Sequence, residues 1–218
     1  MKRVLFLFGG VLAAVLLYVT SQAVSTLDRL EIVERERDQW QKPEEIVRAL
    51  DLKEGAVVVD LGCGAGYFAL KLAPVVGSRG KVLAVDLRRI SLAFLWIRAQ
   101  RRRQGNISVI LGDTGDPHLP ENVDAVLVAN TYHELANPDA ILSHVRQALR
   151  PGGRLVLADR NPAAGGESGG GGVEDHAVPL AAVEQEVQRQ GFEIVSRREH
   201  LLDQPGDGSW WLLAVRKP

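Results

Sequence analysis

The sequence predicts an α/β fold: a doubly wound, mostly parallel sheet preceded by an apolar N-terminal helix. Three observations predict it. From residue 56 onward, β-branched apolar runs of five to seven residues alternate with helical patterns of ten to fourteen, the rhythm of βαβ units. The first of those runs passes into its helix through Gly62, Gly64 and Gly66. Near the end of the alternation, Pro151-Gly152-Gly153 stops a helix and opens a strand.

Composition agrees with a folded chain. Of 218 residues, 46% are apolar and 24% charged, too rich in core formers for a disordered protein and enough for about one domain with a remainder. The single cysteine, Cys63, excludes an internal disulfide framework and a cysteine-based zinc cage. A net charge of -1 argues against nucleic-acid binding through bulk charge. That balance is an average. Residues 1–27 hold two basic residues and no acidic one, leaving 28–218 mildly acidic.

The remainder is the N-terminus. Residues 4–19 (VLFLFGGVLAAVLLYV) follow Lys2 and Arg3 without a charge or an amide. As a helix this run spans about 24 Å, and extension through residue 20 and beyond approaches the ~20 residues a bilayer requires. Residues 1–27 are therefore expected to be a signal peptide or a membrane anchor, contacting the membrane through residues 4–20. Ser21-Gln22-Ala23 fits a cleavage site, whereas the length of the apolar run fits an uncleaved anchor. A buried core helix is the third alternative, and the unbroken apolar run disfavours it. The expected location is membrane-associated, with export to the periplasm after cleavage as the alternative. Lys2 and Arg3 favour a cytoplasmic N-terminus, while Arg29, Arg35 and Arg37 pull the other way.

Residues 28–50 read as a charged stalk and a lead-in helix. Residues 28–38 (DRLEIVERERD) mix acids and bases with i,i+4 pairs such as Glu31–Arg35. Trp40-Gln41-Lys42 then precedes Pro43, a favoured first helical residue, with Glu44 and Glu45 complementing the helix N-terminus. The domain proper spans 51–218. Strands are expected at 56–61 (AVVVDL), 81–86 (KVLAVD), 107–111 (ISVIL), 123–129 (VDAVLVA) and 154–158 (RLVLA). Helices are expected at 67–76, 90–103, 139–149 and 178–190, and two closing strands at 192–198 and 210–215.

The glycine turn carries the functional argument. A glycine-rich turn from strand to helix lets a ligand approach bare backbone at the switch point of an open sheet. The dinucleotide fingerprint G-x-G-x-x-G needs glycine at position 67, where Tyr67 stands, and the spacing is G-x-G-x-G instead. Asp60 at the mouth of the turn repels a pyrophosphate but suits a ligand carrying an amine and a sulfonium. Asp86 ends the second strand, where a carboxylate accepts from ribose hydroxyls. Asp113, after the third, is placed to accept from an adenine amine. Each aspartate alone is equally a helix cap or a turn former. Three acids closing consecutive strands beside G-x-G-x-G make the shared binding role the better reading.

Residues 57–66 (VVVDLGCGAG), Asp86, Gly112-Asp113 and Pro151-Gly152-Gly153 together resemble the successive motifs of class I S-adenosylmethionine-dependent methyltransferases, across about residues 40–218. The resemblance implies a Rossmann-like seven-stranded sheet ordered 3-2-1-4-5-7-6 with strand seven antiparallel. It implies S-adenosyl-L-methionine as cofactor, with Asp60, Gly62, Gly64 and Gly66 at its methionine part, Asp86 at the ribose and Asp113 at the adenine. The Trp-Gln-Lys-Pro segment also resembles bacterial methyltransferase-domain proteins that carry signal peptides.

Methyl transfer asks the protein for alignment, desolvation and a base for a protonated acceptor. By resemblance those groups follow strand four, at Asn130-Thr131-Tyr132-His133-Glu134, which makes Asn130, Tyr132 and His133 the catalytic candidates. The segment is unlike the Asn-Pro-Pro-Tyr pattern of base-modifying enzymes and more like the Asn-x-x-His of small-molecule methyltransferases. A small acceptor is expected, lipophilic ones included, and no nucleic acid. Histidine ordinarily titrates near pH 6.5, suiting His133 to general base, with helix-start capping as the alternative.

Three further features are weaker. Residues 161–172 (NPAAGGESGGGG) suit a flap or a plain linker. Glu174-Asp175-His176 lacks metal-ligand spacing, so no metal is expected. Arg88, Arg89, Arg98 and Arg101-Arg102-Arg103 form a basic cluster, read first as a solvated helix end, second as a contact for anionic lipid and third, more weakly, as a contact for RNA. Two rival functions stand beside catalysis. A non-catalytic S-adenosylmethionine-binding scaffold would keep the same glycines and acids, and a nucleotide-dependent oxidoreductase is disfavoured by Tyr67 and Asp60.

Overall fold

The computed structural model describes residues 2–162, 177–204 and 208–218, apart from the side chains of 2–14, 16, 19, 203, 204 and 208. The chain divides into two compact units, residues 1–39 and 40–218. The first is a helix, α1 (Lys2–Trp40), which continues through residue 27 into the charged segment without a break. Thr20, Ser21 and Thr26 donate hydroxyls to carbonyls three or four residues earlier, at 2.8–3.0 Å, so the polar stretch stays helical. Arg35 Nε reaches back to Glu31 at the expected i,i+4 spacing, but its acceptor is the backbone oxygen, at 3.2 Å. The apolar run behind the signal-or-anchor expectation falls largely among side chains outside the described residues. Among the described residues, no helix is long and apolar enough to cross a membrane.

The second unit holds α2 (Pro43–Ala49), β1 (Val57–Leu61), α3 (Ala69–Val76), β2 (Lys81–Asp86), α4 (Arg89–Arg101), β3 (Ile107–Leu111) and β4 (Val123–Ala129). A single 3₁₀ turn (Tyr132–Glu134), α5 (Pro138–Ala148), β5 (Leu149–Arg160), α6 (Leu180–Arg189), β6 (Glu193–Gln204) and β7 (Gly208–Arg216) complete it. The seven strands order β3-β2-β1-β4-β5-β7-β6, as the resemblance implied. All pairs are parallel except β7, which runs antiparallel to both neighbours. Boundaries differ from expectation at the glycine and Pro-Gly-Gly turns and at β6, which runs on to Gln204. The turn after β1 delays α3 to Ala69, and β5 starts at Leu149 because Leu149 pairs with Val123 of β4, a bulge separating it from the Arg154–Ala125 pair.

The inner strands β1, β2, β4, β5 and β7 are largely buried on both faces, which is why they read as apolar runs, whereas the edge strands β3 and β6 are partly exposed. Alternate residues feed two cores. Val58, Ala84, Leu127 and Val156 face α2, α3 and α4 with Ile46, Leu72 and Leu95. Val59, Val85, Val126 and Leu155 face α5 and α6 with Leu142, Val145, Val183 and Val187. Adjacent residues of β7 split between the layers: Trp210 joins the first core and Trp211 the second. The lead-in segment is tied to the far end of the sheet. Trp40 packs on Trp210 at 5.9 Å, Lys42 donates to the Leu201 carbonyl at 2.8 Å, and Arg154 donates to the Ala49 carbonyl at 3.0 Å.

Chain order runs outward from β1 to β2 and β3, then returns to β4 on the other side of β1. The carboxyl ends of β1 and β4 therefore flank the topological switch point, where open α/β sheets leave a crevice for ligands.

Candidate functional site

The turn leaving β1 is built from backbone. Gly62, Gly64 and Gly66 all take positive φ, at 76°, 53° and 96°. The N–H groups of Gly62 and Cys63 both donate to the Val85 carbonyl of β2, at 2.8 and 3.0 Å, and Gly66 donates to Cys63 at 2.9 Å. The three glycines differ in what surrounds them. A Cβ on Gly62 would overlap the Thr131 side chain, lying 2.8 Å from its Cβ, and one on Gly66 would overlap Leu95. A Cβ on Gly64 would meet nothing within 4 Å. Its backbone is bare toward open space, as close ligand approach requires.

Two carboxylates border this turn. Asp60, on β1, is 2% exposed. Asp86, ending β2, is also buried, accepting from Gly64 N–H on one oxygen and from Arg88 N–H on the other, both at 2.8 Å. A carboxylate offers about four acceptor sites, so these bonds leave room for hydroxyl donors. Arg88 Nε adds a longer contact at 3.4 Å. Burial pushes the Cys63 thiol up, and the charges of Asp60 and then Asp86 push it further. Cys63 is thus an inert small side chain inside the turn.

Arg98 departs from the expected solvated cluster. It lies buried on α4, and its Nη1 donates to the Ala65 carbonyl at 2.6 Å, bracing the glycine turn from outside. Arg89, Arg101, Arg102 and Arg103 are exposed as expected.

Asp113 is engaged in its own turn. It is exposed, and one oxygen accepts from Gly115 N–H at 2.9 Å and Asp116 N–H at 2.7 Å, with His118 beside the other. Those two backbone bonds, chiefly Gly115's, hold its carboxyl below the usual range. The turn-former alternative describes its side chain.

The turn after β4 is held by side chains. Asn130 sits at φ 56°, donates its N–H to the Ala158 carbonyl at 2.8 Å, and accepts from Arg160 at 3.2 Å. Thr131 packs against Gly62 and so joins the two turns. Tyr132 turns away into the second core, where its hydroxyl meets Glu186 of α6. Burial and that carboxylate push the phenol well above its usual range. The His133 side chain is 3% exposed, with Nδ1 at 2.9 and 3.0 Å from the two oxygens of a fully buried Asp159. Asp159 also accepts from the backbone N–H groups of His133 and Arg160, at 3.2 and 2.9 Å. A carboxylate only accepts, so Nδ1 is the donor to Asp159, while Nε2 lies 3.8 Å from Glu134 Oε1.

The structure thus gathers Asp60, the three glycines and Asp86 at one turn, and Asn130 and His133 at its neighbour. Tyr132 and Asp113 point into other surroundings. Sequence reasoning missed Asp159, Thr131 and Arg98. Asp159 carried a usable signal, being an acid that ends a strand like Asp60 and Asp86. The glycine-rich loop (beyond residue 162) and Glu174-Asp175-His176 lie outside the described residues. Among the described residues, no cluster of three or more metal-ligating side chains occurs.

A family model described as "Methyltransferase domain" matches residues 52–201. The protein-L-isoaspartate O-methyltransferase of Methanothrix thermoacetophila is 34% identical over 110 residues, half of this chain and 49% of that protein. The 2-phytyl-1,4-naphtoquinone methyltransferase of Synechococcus elongatus is 32% identical over 112 residues, 49% of this chain and 47% of that one. The chain spans about half the length of these curated relatives. A solved SAM-dependent methyltransferase from Aquifex aeolicus superposes with a TM-score of 0.69 at 24% identity, over 81% of this chain and 89% of its own, and shares the fold.

Proposed function

The chain belongs to the methyltransferase-domain family, and on that premise we propose that it transfers a methyl group from S-adenosyl-L-methionine to a small acceptor, lipophilic ones included. The observation that carries the reading is the bare backbone of Gly64, open where a Cβ would stand and hydrogen-bonded to the buried carboxylate of Asp86. That cradle fits an uncharged ribose and a cationic amino-acid end, with Asp86 accepting from the ribose and Asp60 facing the cation. When bound, S-adenosylmethionine supplies a methyl carbon already activated by positive sulfur.

The protein's own share is alignment and proton management. His133 Nε2 takes the proton from a hydroxyl acceptor, and Asp159 fixes the ring tautomer and stabilises the imidazolium that results. Asn130, braced by Arg160, positions the turn that carries His133. Tyr132 serves packing. The relative named for a phytylated naphthoquinone supports a small, lipophilic acceptor, whereas the one named for protein isoaspartate is named for a protein substrate. The apolar run at 4–20 supports association with a membrane, with export after cleavage as the alternative, and protease accessibility in spheroplasts reads which.

Calorimetry tests the cofactor. S-adenosylmethionine binds the wild type and NAD does not, and Asp86→Ala weakens that binding by at least about tenfold, two hydrogen bonds to a charged acceptor being lost. Unchanged affinity in Asp86→Ala overturns the assignment. Methylation of reduced quinones or phenols, with S-adenosylhomocysteine formed from S-adenosylmethionine, then separates an enzyme from a binding scaffold.

A further inference from the structure

The outward face of α4 does not serve the site. The helix buries Leu92, Leu95, Arg98 and Ala99, yet Ile90 is 65% exposed and Trp96 56% exposed, with exposed Ala93 between them. Helices α5 and α6 differ, although α3 also exposes Val75. The exposed positions of α5 and α6 are Asp139, Gln147, Ala181, Gln185, Gln188 and Arg189, with no large apolar side chain. An outer-layer helix with water on one side has no reason of stability to be apolar all round.

Charge surrounds the apolar strip. From Leu87 to Gly112 the chain carries six arginines and no carboxylate. Arg98 is spent on the glycine turn, whereas Arg89 and Arg101 are exposed at the two ends of α4, with Arg103 just beyond. Twelve residues of helix separate the first two by about 18 Å, with Ile90, Ala93 and Trp96 between. Tryptophan and isoleucine flanked by guanidinium groups match a helix lying in a bilayer interface, its apolar strip among the acyl chains and its arginines on phosphates.

We propose that this face of α4 rests on an anionic phospholipid surface. A second copy is a poor occupant, because a two-fold contact sets arginines against arginines with no acid in the stretch to pair them. Nucleic acid would satisfy the arginines and stack on Trp96, but leaves Ile90 and Ala93 without a partner. The inference is independent of the methyl-transfer reading.

The test uses the full chain carrying Ala93→Cys with a nitroxide label; Cys63 is buried and its thiol suppressed, so the label stays at one site. Vesicles of phosphatidylcholine with phosphatidylglycerol are compared with phosphatidylcholine alone, and label depth is read by power saturation. The label enters the apolar zone on the anionic vesicles only, and its immersed fraction falls about fivefold for each of Arg101→Gln and Arg103→Gln. Ile90→Gln with Trp96→Gln abolishes immersion while leaving circular dichroism unchanged. Because depth is read at residue 93, attachment through residues 4–20 cannot mimic the result. A label that stays in water at saturating anionic lipid overturns the proposal, whether or not the chain sediments with vesicles. So does spin–spin broadening without lipid, which marks a second copy, or immobilisation by added RNA but not by vesicles.

Discussion

Two turns stand at the carboxyl ends of neighbouring strands and are held by opposite means. The turn after β1 is made of main chain: three glycines in left-handed conformations, stitched to the end of β2 by N–H groups from Gly62 and Cys63. The turn after β4 is made of side chains reaching far along the sequence, Asn130 to Arg160, His133 to Asp159 and Tyr132 to Glu186. A backbone turn fails by steric exclusion, all at once. A side-chain turn fails one pair at a time, so its chemistry can be altered without losing the fold.

The sharpest way to break that contrast is Gly62→Ala. The new Cβ meets Thr131 at positive φ, and strain plus overpacking cost about 4 kcal/mol, read by urea denaturation. Thr131→Gly in the same chain removes the obstruction and restores more than half the loss. Failure to do so would mean that the two turns are not sterically joined. Next in size, His133→Gln lowers kcat about 10²-fold, with S-adenosylmethionine affinity within about twofold. Asp159→Asn follows the same split between kcat and affinity, because it acts through His133.

Gly64→Ala separates fold from function within the backbone turn. Its φ of 53° and open surroundings limit the folding cost to about 1–2 kcal/mol, while the added methyl fills the cradle and cofactor affinity falls about tenfold. Tyr132→Phe costs about 1 kcal/mol by breaking the bond to Glu186. The buried phenol resists ionisation, so its folded pKa exceeds the unfolded value near 10. The folded state then keeps its proton while the unfolded state loses it, so this contribution to stability is present below pH 10 and declines above it. That alkaline decline is shallower in Tyr132→Phe. The smallest effect belongs to Asp113→Ala: its carboxylate is committed to its own turn, and cofactor affinity changes less than about twofold.

The same contrast explains what could be read from the sequence. G-x-G-x-G with Asp60 and Asp86 was legible because a backbone turn is specified by adjacent residues, and the alternation of strand and helix patterns was legible for the same reason. The His133–Asp159 pair spans 26 positions and exists only because β4 and β5 align Ala129 with Ala158, which periodicity within one strand does not reveal. Nothing local foretells that α6 brings Glu186 beneath Tyr132, 54 residues later. Arg98 was legible but overlooked: it lies three residues after Leu95, on the buried side of α4, and reading it with Arg101–Arg103 grouped it by charge instead of helical phase.

The place of β7 has a consequence for assembly. The last strand in chain order lies in the interior of the sheet, between β5 and β6, and it alone delivers Trp210 to one core and Trp211 to the other. A nascent chain that has made everything through β6 still holds two open strand edges and two unfilled layers, and must wait for β7 before either closes. Completion is then one event for both layers at once. Tryptophan emission during refolding should therefore report a single late step, with no stage in which one face of the sheet is finished before the other.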